Sequence, residues 1–333
     1  GAEASVGGVS SFGYSGTIAH AVLRRADASL ALPASPSSPL RMRRRAFPWI
    51  DRAHPFVQRR LPSVSDSVTT FRSPVAGALH VLVADHVVQS RIVFPAAGYL
   101  EMARAAWHAA FPTGAGVVAL RDVVFLQPLA VDMVEHIDCV ICDGRFDVRS
   151  GDNADAAVHC SGEFKLHSCD DRAAADLAAT RCGPCSSMRD AGSLYNSVCS
   201  LGLQYGPEYR TITQVWRDAS NTAVARLRPR IMNGSSLHVH PADLDAAVCL
   251  GTFGLTMCCN NDTRLPFAVD YALLLVGSGM PWVVVQSQHE SAALEVYLGA
   301  VARCPRAHLQ GFKSRALRVT VQARQQLLSL IHI

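Results

Sequence analysis

Two residues in this chain have the type and setting for paired proton transfer. His86 follows an apolar run and closes the turn-like Ala84-Asp85-His86, with Val87-Val88-Gln89-Ser90-Arg91-Ile92-Val93-Phe94-Pro95 after it. Asp245 sits in His240-Pro241-Ala242-Asp243-Leu244-Asp245-Ala246-Ala247, about one turn into an otherwise apolar helix. A neutral imidazole accepts a proton well near pH 7. A carboxylic acid donates one where burial keeps it protonated. Facing one pocket, the two suit elimination of water β to a carbonyl. On spacing alone the structural readings stand beside this one, since a histidine before a helix is commonly a satisfied structural residue and an aspartate in a first turn complements the helix dipole.

Other groups compete for chemistry. Asp243 is a rival carboxylate, but two residues from Asp245 it points to the opposite side of the helix. His238 and His240 share one strand face and suggest a metal, without an evident third ligand. Cys139/Cys142 and Cys182/Cys185 have CxxC spacing, and the second pair spells Cys-Gly-Pro-Cys. A redox motif of that kind needs a preceding buried strand and a following helix, whereas residues 173–180 are Ala/Asp-rich and Ser186-Ser187 follow. We read all eleven cysteines as reduced thiols of an intracellular, cytoplasmic protein, and expect no metal.

The elements that must position these residues follow from the patterning. Residues 79–83 and 91–94 read as strands on either side of the His86 turn. Pro95 opens a helix, as its fixed φ and missing N–H allow. Tyr99, Met102, Ala103, Ala106 and Ala110 then fall at three- and four-residue spacing. Residues 117–125, 136–142, 156–160 and 163–167 are further strand candidates. The pattern restarts with strands at 223–227 and 237–239, a second helix from Pro241, and strands at 282–285, 294–298 and 317–321. Each half thus holds a buried-looking helix with strands around it, an α+β organisation of two similar units.

The 333 residues are 49% apolar and 17% charged, enough for a sizeable core. The net charge of +4 owes much to Arg41, Arg43, Arg44 and Arg45, which sit among Pro and Ser as a solvated linker with no aromatic stacking platform. Nucleic acid is therefore not an expected partner. No apolar stretch is long enough to span a membrane, no signal peptide opens the chain, and both ends read as cuts in a longer polypeptide.

Three segments together resemble the dehydratase domains of modular polyketide synthases and animal-type fatty acid synthases. His86 to Pro95 is similar to the HxxxGxxxxP signature. Leu203-Gln204-Tyr205-Gly206-Pro207-Glu208-Tyr209-Arg210 is similar to YGPxF, and Asp245 with its flanks to LDxxxQ/H. Residues 49–56 and 122–129 add smaller echoes, and the resemblance covers residues 54–322. It implies a double hotdog, two curved antiparallel sheets each wrapped around a central helix. The expected layout is a dehydratase domain over 54–325, made of hotdogs at 54–170 and 191–325 with a connector at 171–190. The reaction implied is dehydration of a 3-hydroxyacyl thioester to the 2-enoyl thioester, with His86 as base and Asp245 as acid. The substrate would ride on the phosphopantetheine of a separate acyl carrier protein, with neighbouring synthase domains as further partners and no cofactor of the domain's own. Dimerisation is common among such domains.

The resemblance also implies that Tyr205 lines or orders the site, that Gly206 and Pro207 shape its loop, and that Pro95 shapes the turn behind His86. The N–H of Gly98 is the expected donor to the thioester carbonyl. This chain departs from the pattern at Ser90 in place of Gly, at Tyr209 in place of Phe, and at Cys249 in place of Gln or His. A thiol one turn after Asp245 is a weak donor and orients the carboxyl group less well. Same-fold isomerase, cyclase and product-template activities, and a silent acyl-binding module, are the alternatives.

Residues 9–20, Val9-Ser10-Ser11-Phe12-Gly13-Tyr14-Ser15-Gly16-Thr17-Ile18-Ala19-His20, resemble the close of a ketosynthase domain. In that family an Asn-Ala-His ends the motif, and Ile18 stands here for the Asn. The expectation is a ketosynthase remnant over 1–25 and a linker over 26–53. So short a linker leaves no room for an acyltransferase between the two domains, as in synthases whose acyltransferase acts in trans.

Overall fold

The computed structural model describes residues 6–12, 18–24, 54–63, 65, 67–112, 116–151, 156–167, 187–217, 221–230, 236–255, 263–275, 282–287, 293–299 and 305–317. It divides into two compact units, residues 1–51 and 52–333. In the first, β1 (Val6–Phe12) and β2 (Ile18–Arg24) pair antiparallel, with Phe12 opposite Ile18. Ser10 Oγ and His20 Nδ1 hydrogen-bond across this hairpin at 2.7 Å. The expected linker over 26–53, and Cys182/Cys185 with residues 171–186 of the expected connector, lie outside the described residues, while residues 187–189 of that connector form a strand.

The second unit carries β3 (Arg59–Arg60), β4 (Val68–Pro74), β5 (Val87–Val88), β6 (Arg91–Ile92), β7 (Val118–Phe125), β8 (His136–Cys142), β9 (Arg145–Ser150) and β10 (Ala157–Leu166) in its first half. The second half supplies β11 (Ser187–Arg189), β12 (Ile212–Arg217), β13 (Thr222–Leu227), β14 (Arg264–Leu274), β15 (Trp282–Ser287), β16 (Leu294–Gly299) and β17 (Ala307–Ala316). Apart from the β5–β6 hairpin these form one sheet, ordered β11-β12-β13-β15-β16-β17-β14-β7-β10-β9-β8-β4-β3. Every pairing within it is antiparallel, and the two halves meet where β14 pairs with β7 (Ala268 opposite Val124, Ala272 opposite Leu120).

A helix lies within each half. The first, Ala96–Ala110, packs on β7, β8, β9 and β14. Ten consecutive residues from Ala97 to Ala106 are buried, so it is enclosed all round, and its many alanines let strands approach closely. The second, Pro241–Cys249, carries Pro at N1 and is capped by His240, whose Nδ1 accepts the Ala242 N–H at 3.2 Å. Only Asp243 of its nine residues escapes full burial. It runs on as a π-helical turn, Leu250–Leu255.

Several expected elements differ. Residues 79–83 are not a strand but part of a helix, Ala78–Val83, with Leu79 and Val83 buried one turn apart. A short apolar run carries no period that separates the two states. The strands expected at 156–160 and 163–167 are one, β10, whose register shifts at Val158/Cys160 and Ser161/Glu163 interrupt the alternation. Residues 237–239 bend into the second helix without forming a strand. Of the strand expected at 317–321 only Leu317 is described, and it lies just past β17.

Candidate active site

His86 follows the Ala78–Val83 helix, and its N–H donates to the Val83 carbonyl at 2.9 Å. Across the β5–β6 hairpin it faces Val93, whose N–H donates to the His86 carbonyl at 3.1 Å. Nδ1 lies 2.6 Å from the Val93 carbonyl oxygen. A carbonyl only accepts, so Nδ1 carries a proton, and the basic position of the neutral ring is Nε2. The ring is buried between Tyr205 (centroids 5.4 Å, nearly parallel) and Tyr209 (5.2 Å).

The hairpin behind His86 is tight, with Gln89 at φ 48° and Ser90 at φ 65°. Two consecutive positive φ values match a two-residue I′ turn, so Ser90 keeps the glycine conformation despite its side chain. The turn is docked on the second half. Gln89 N–H donates to the Gly202 carbonyl (2.7 Å), Ser90 N–H to Gln204 Oε1 (2.8 Å), and Gln204 N–H to the Val87 carbonyl (2.8 Å). Ser90→Gly relieves the strain and leaves the three backbone bonds. It is expected to raise stability by about 0.5–1 kcal/mol in chemical denaturation, and no gain would place the strain elsewhere.

Asp245 comes from the second helix. Its Oδ1 lies 3.5 Å from His86 Nε2 with both side chains below a tenth exposed, and its Oδ2 is buried without a hydrogen-bond partner. Both residues line a cavity of about 800 Å³ including its mouth. Val93, Phe94, Tyr99, Phe125, Leu203 and Phe253 make its walls apolar, while Gln127, Arg264 and Arg315 stand at the solvent side. Burial, and then the Asp245 charge, push the phenol of Tyr205 well above its usual range, so it remains a donor beside the carboxyl group. The same causes raise the thiol of Cys249, which lines the cavity one turn beyond Asp245.

The family model described as polyketide synthase dehydratase domain matches residues 54–142, and that described as polyketide synthase dehydratase N-terminal domain matches residues 173–290, together well over half of the chain. The chain belongs to the polyketide synthase dehydratase family. Dehydration during polyketide processing is accordingly its class of reaction. Polyketide synthase ThaG of Burkholderia thailandensis is 33% identical over 197 residues, covering 52% of this chain and 3% of that protein. Polyketide synthase PksN of Bacillus subtilis is 24% identical over 257 residues, covering 73% of this chain and 5% of that protein. The dehydratase therefore corresponds to a small part of each curated relative. Among solved structures, the dehydratase domain from the CurF module of curacin polyketide synthase superposes with a TM-score of 0.71 at 20% identity, over 80% of this chain and all of that one. The double-hotdog fold follows from that likeness.

In this dehydratase the 205–209 loop docks on the residue before His86. Gly206 N–H donates to the Asp85 carbonyl (2.9 Å) and Glu208 N–H to Asp85 Oδ2 (2.7 Å). A Cβ on Gly206 would fall 2.4 Å from Asp85 Cγ, which accounts for the glycine. The Tyr209 hydroxyl donates to the Leu82 carbonyl at 3.0 Å, giving the extra oxygen its partner. Pro207 lies in the loop without lining the cavity, and its carbonyl accepts from Arg228 at 3.3 Å. Asp85 escaped the sequence reading, because an acidic residue in a turn gives no sign of a partner loop so distant in the chain.

Gly98 does not present the donor expected of it. Its N–H donates to the Pro95 carbonyl at 2.9 Å and is not available to a substrate. Pro95 is the N-cap, not the first helical residue, and the helix begins at Ala96, which lines the cavity. Gly98 serves packing instead, since a Cβ there would meet Phe94 Cε1 at 2.8 Å.

The rivals are placed elsewhere. Asp243 Oδ1 accepts from Arg230 at 3.0 Å and does not line the cavity. His240 is spent on its cap, and His238 offers its N–H to Glu101 at 2.7 Å. With no strand there, the shared face expected for the two histidines does not exist. Cys139 and Cys142 lie three apart on β8 and so project from opposite faces, and burial raises the Cys139 thiol to about 12. Among the described residues no three His, Cys, Asp or Glu side chains cluster as a metal site, and no helix is long and apolar enough to cross a membrane.

Proposed function

We propose that this domain removes water from a 3-hydroxyacyl thioester carried on the phosphopantetheine of an acyl carrier protein, with His86 as base and Asp245 as acid. The observation that carries this is the 3.5 Å approach of His86 Nε2 to Asp245 Oδ1 at the inner end of an apolar cavity. His86 Nε2 takes the proton from the carbon next to the thioester carbonyl. Asp245 Oδ2, without a hydrogen-bond partner among the described residues, protonates the departing 3-hydroxyl, which leaves as water. Turnover leaves an imidazolium beside a carboxylate, and return of the proton between them resets the site. Tyr205 orders both groups.

The carrier protein and the neighbouring synthase domains are the partners this reading requires. We also read residues 9–20 as the close of a preceding ketosynthase. The direct test is mass spectrometry of a 3-hydroxyacyl carrier-protein thioester incubated with the domain. The expected outcome is loss of one water from the bound acyl group. A folded protein that leaves several chain lengths intact would overturn the reading.

A further inference from the structure

Arg230, in the segment after β13, lies outside the cavity yet joins the supports of both proposed catalytic residues. Its Nε donates to Asp243 Oδ1 at 3.0 Å, its Nη1 to Glu208 Oε2 at 2.7 Å, and its Nη2 to the Glu208 carbonyl oxygen. Asp243 precedes Asp245 by two residues on the same helix. The Glu208 N–H holds the carboxylate of Asp85, which directly precedes His86. A continuous run of charge-assisted bonds therefore leads from the His86 turn, through the 205–209 loop and one guanidinium, to the helix of Asp245.

A planar guanidinium offers donors in a fixed fork, so grasping two segments at once fixes their relative placement. The Arg230 and Asp243 side chains are only 14% and 13% exposed, which limits screening by solvent. Nothing in this cluster touches the cavity, so a purely local role there would leave catalysis unmoved.

We propose that Arg230 is a positioning residue that sets the separation of His86 and Asp245 across the two halves of the domain. The inference rests on the acid–base reading of that pair. A misplacement of about 1 Å costs up to about 10²-fold in rate. Loss of the clamp therefore lowers kcat and leaves the binding of the acyl chain, which the cavity walls provide.

The test is steady-state dehydration by Arg230→Gln, Arg230→Lys and Asp243→Asn, with thermal melting in parallel. Arg230→Gln is expected to lower kcat by about 10- to 100-fold with KM nearly unchanged. Arg230→Lys should restore part of the loss, because an ammonium holds one partner well but not both. Adding Asp243→Asn to Arg230→Gln should cost little more, as expected of partners in one network. A second measurement stands apart from turnover, the rate at which diethyl pyrocarbonate modifies His86, followed by peptide mass mapping. It should rise several-fold in Arg230→Gln. An inactive parent protein would sink the dehydratase reading alone, leaving His86 modification to decide the clamp. Unchanged kcat and unchanged His86 reactivity, or a loss confined to KM or to melting temperature, would overturn the proposal. Should Arg230→Gln fail to fold, Arg230→Lys and Asp243→Asn are read by the same criteria.

Discussion

Asp245→Asn is expected to lower turnover by about 10²–10⁴-fold without loss of stability. The amide is isosteric, keeps a hydrogen-bonding group beside His86, and has no proton to deliver to a leaving hydroxyl. The stability half follows from a different observation. Asp245 is buried and its Oδ2 has no hydrogen-bond partner among the described residues, so the native fold holds a carboxyl group that packing alone does not require. Replacing it by a neutral amide removes that burden, and the melting temperature should stay level or rise. His86→Ala should cost as much in rate but differ in stability, since it leaves the Val93 carbonyl unpaired at about 1–3 kcal/mol. Rates from carrier-bound substrate and melts of the three proteins check both halves. An Asp245→Asn protein that retains turnover would remove Asp245 from the acid role.

Glu101→Ala is expected to destabilise the domain by about 3–5 kcal/mol. Glu101 is 1% exposed and lies on the first central helix, where Arg104 donates to it twice (2.7 and 3.0 Å). His54 Nε2 lies 3.2 Å away, and the His238 N–H donates at 2.7 Å. The carboxylate therefore ties the start of the domain to the segment before the second helix, and its removal strands the buried charge of Arg104. Burial by itself would raise the Glu101 pKa. The His54 hydrogen bond and the Arg104 charge prevail and hold it at about 2, against an ordinary 4.5. Its contribution is thus complete above pH 4.5 and is lost as pH falls toward 2.

The nearby histidines act over a higher window. Burial, and then the charge of Arg104 or Arg230, lowers His238 to about 4 and His240 to about 3. The unfolded chain takes up protons at these positions below pH 6.5 while the native one does not, so stability falls from pH 6.5 downward. Denaturant unfolding from pH 7 to 3 should show a decline beginning near pH 6.5. In Glu101→Ala that early decline remains, and the further loss below pH 4.5 shrinks. A flat profile between pH 7 and 5 would contradict the histidine assignment.

What the sequence disclosed depended on how far each signal reached. The two central helices and both proposed catalytic residues were legible, because Pro95 and Pro241 mark helix starts and the three motifs sit on short contiguous stretches. Strands β7, β8, β13, β15 and β16 were legible as apolar runs. β14 and β17 were not, since Pro266 sits at a register shift in one and Gly311 adopts φ 68° in the other. Residues 79–83 misled because four apolar residues in a run of five fit either state. Gly98 misled because a helix start suggests free N–H groups, while the bond to Pro95 depends on where the first turn begins. Asp85 was silent because its partner loop lies 123 residues on, and Glu101 because its bond to the His238 N–H spans 137 residues.

The β7–β14 pairing sets an order in time. As the chain is synthesised, the His86 hairpin and the first central helix emerge long before β14 does. Throughout that interval His86 has no carboxyl group opposite it. The closing of β14 on β7 completes the sheet around the second helix, which also packs on the first central helix and carries Asp245 to His86. Competence for proton transfer therefore arrives in one late step, after the strands most separated in sequence have met. A nascent or truncated domain should be inert, not slow.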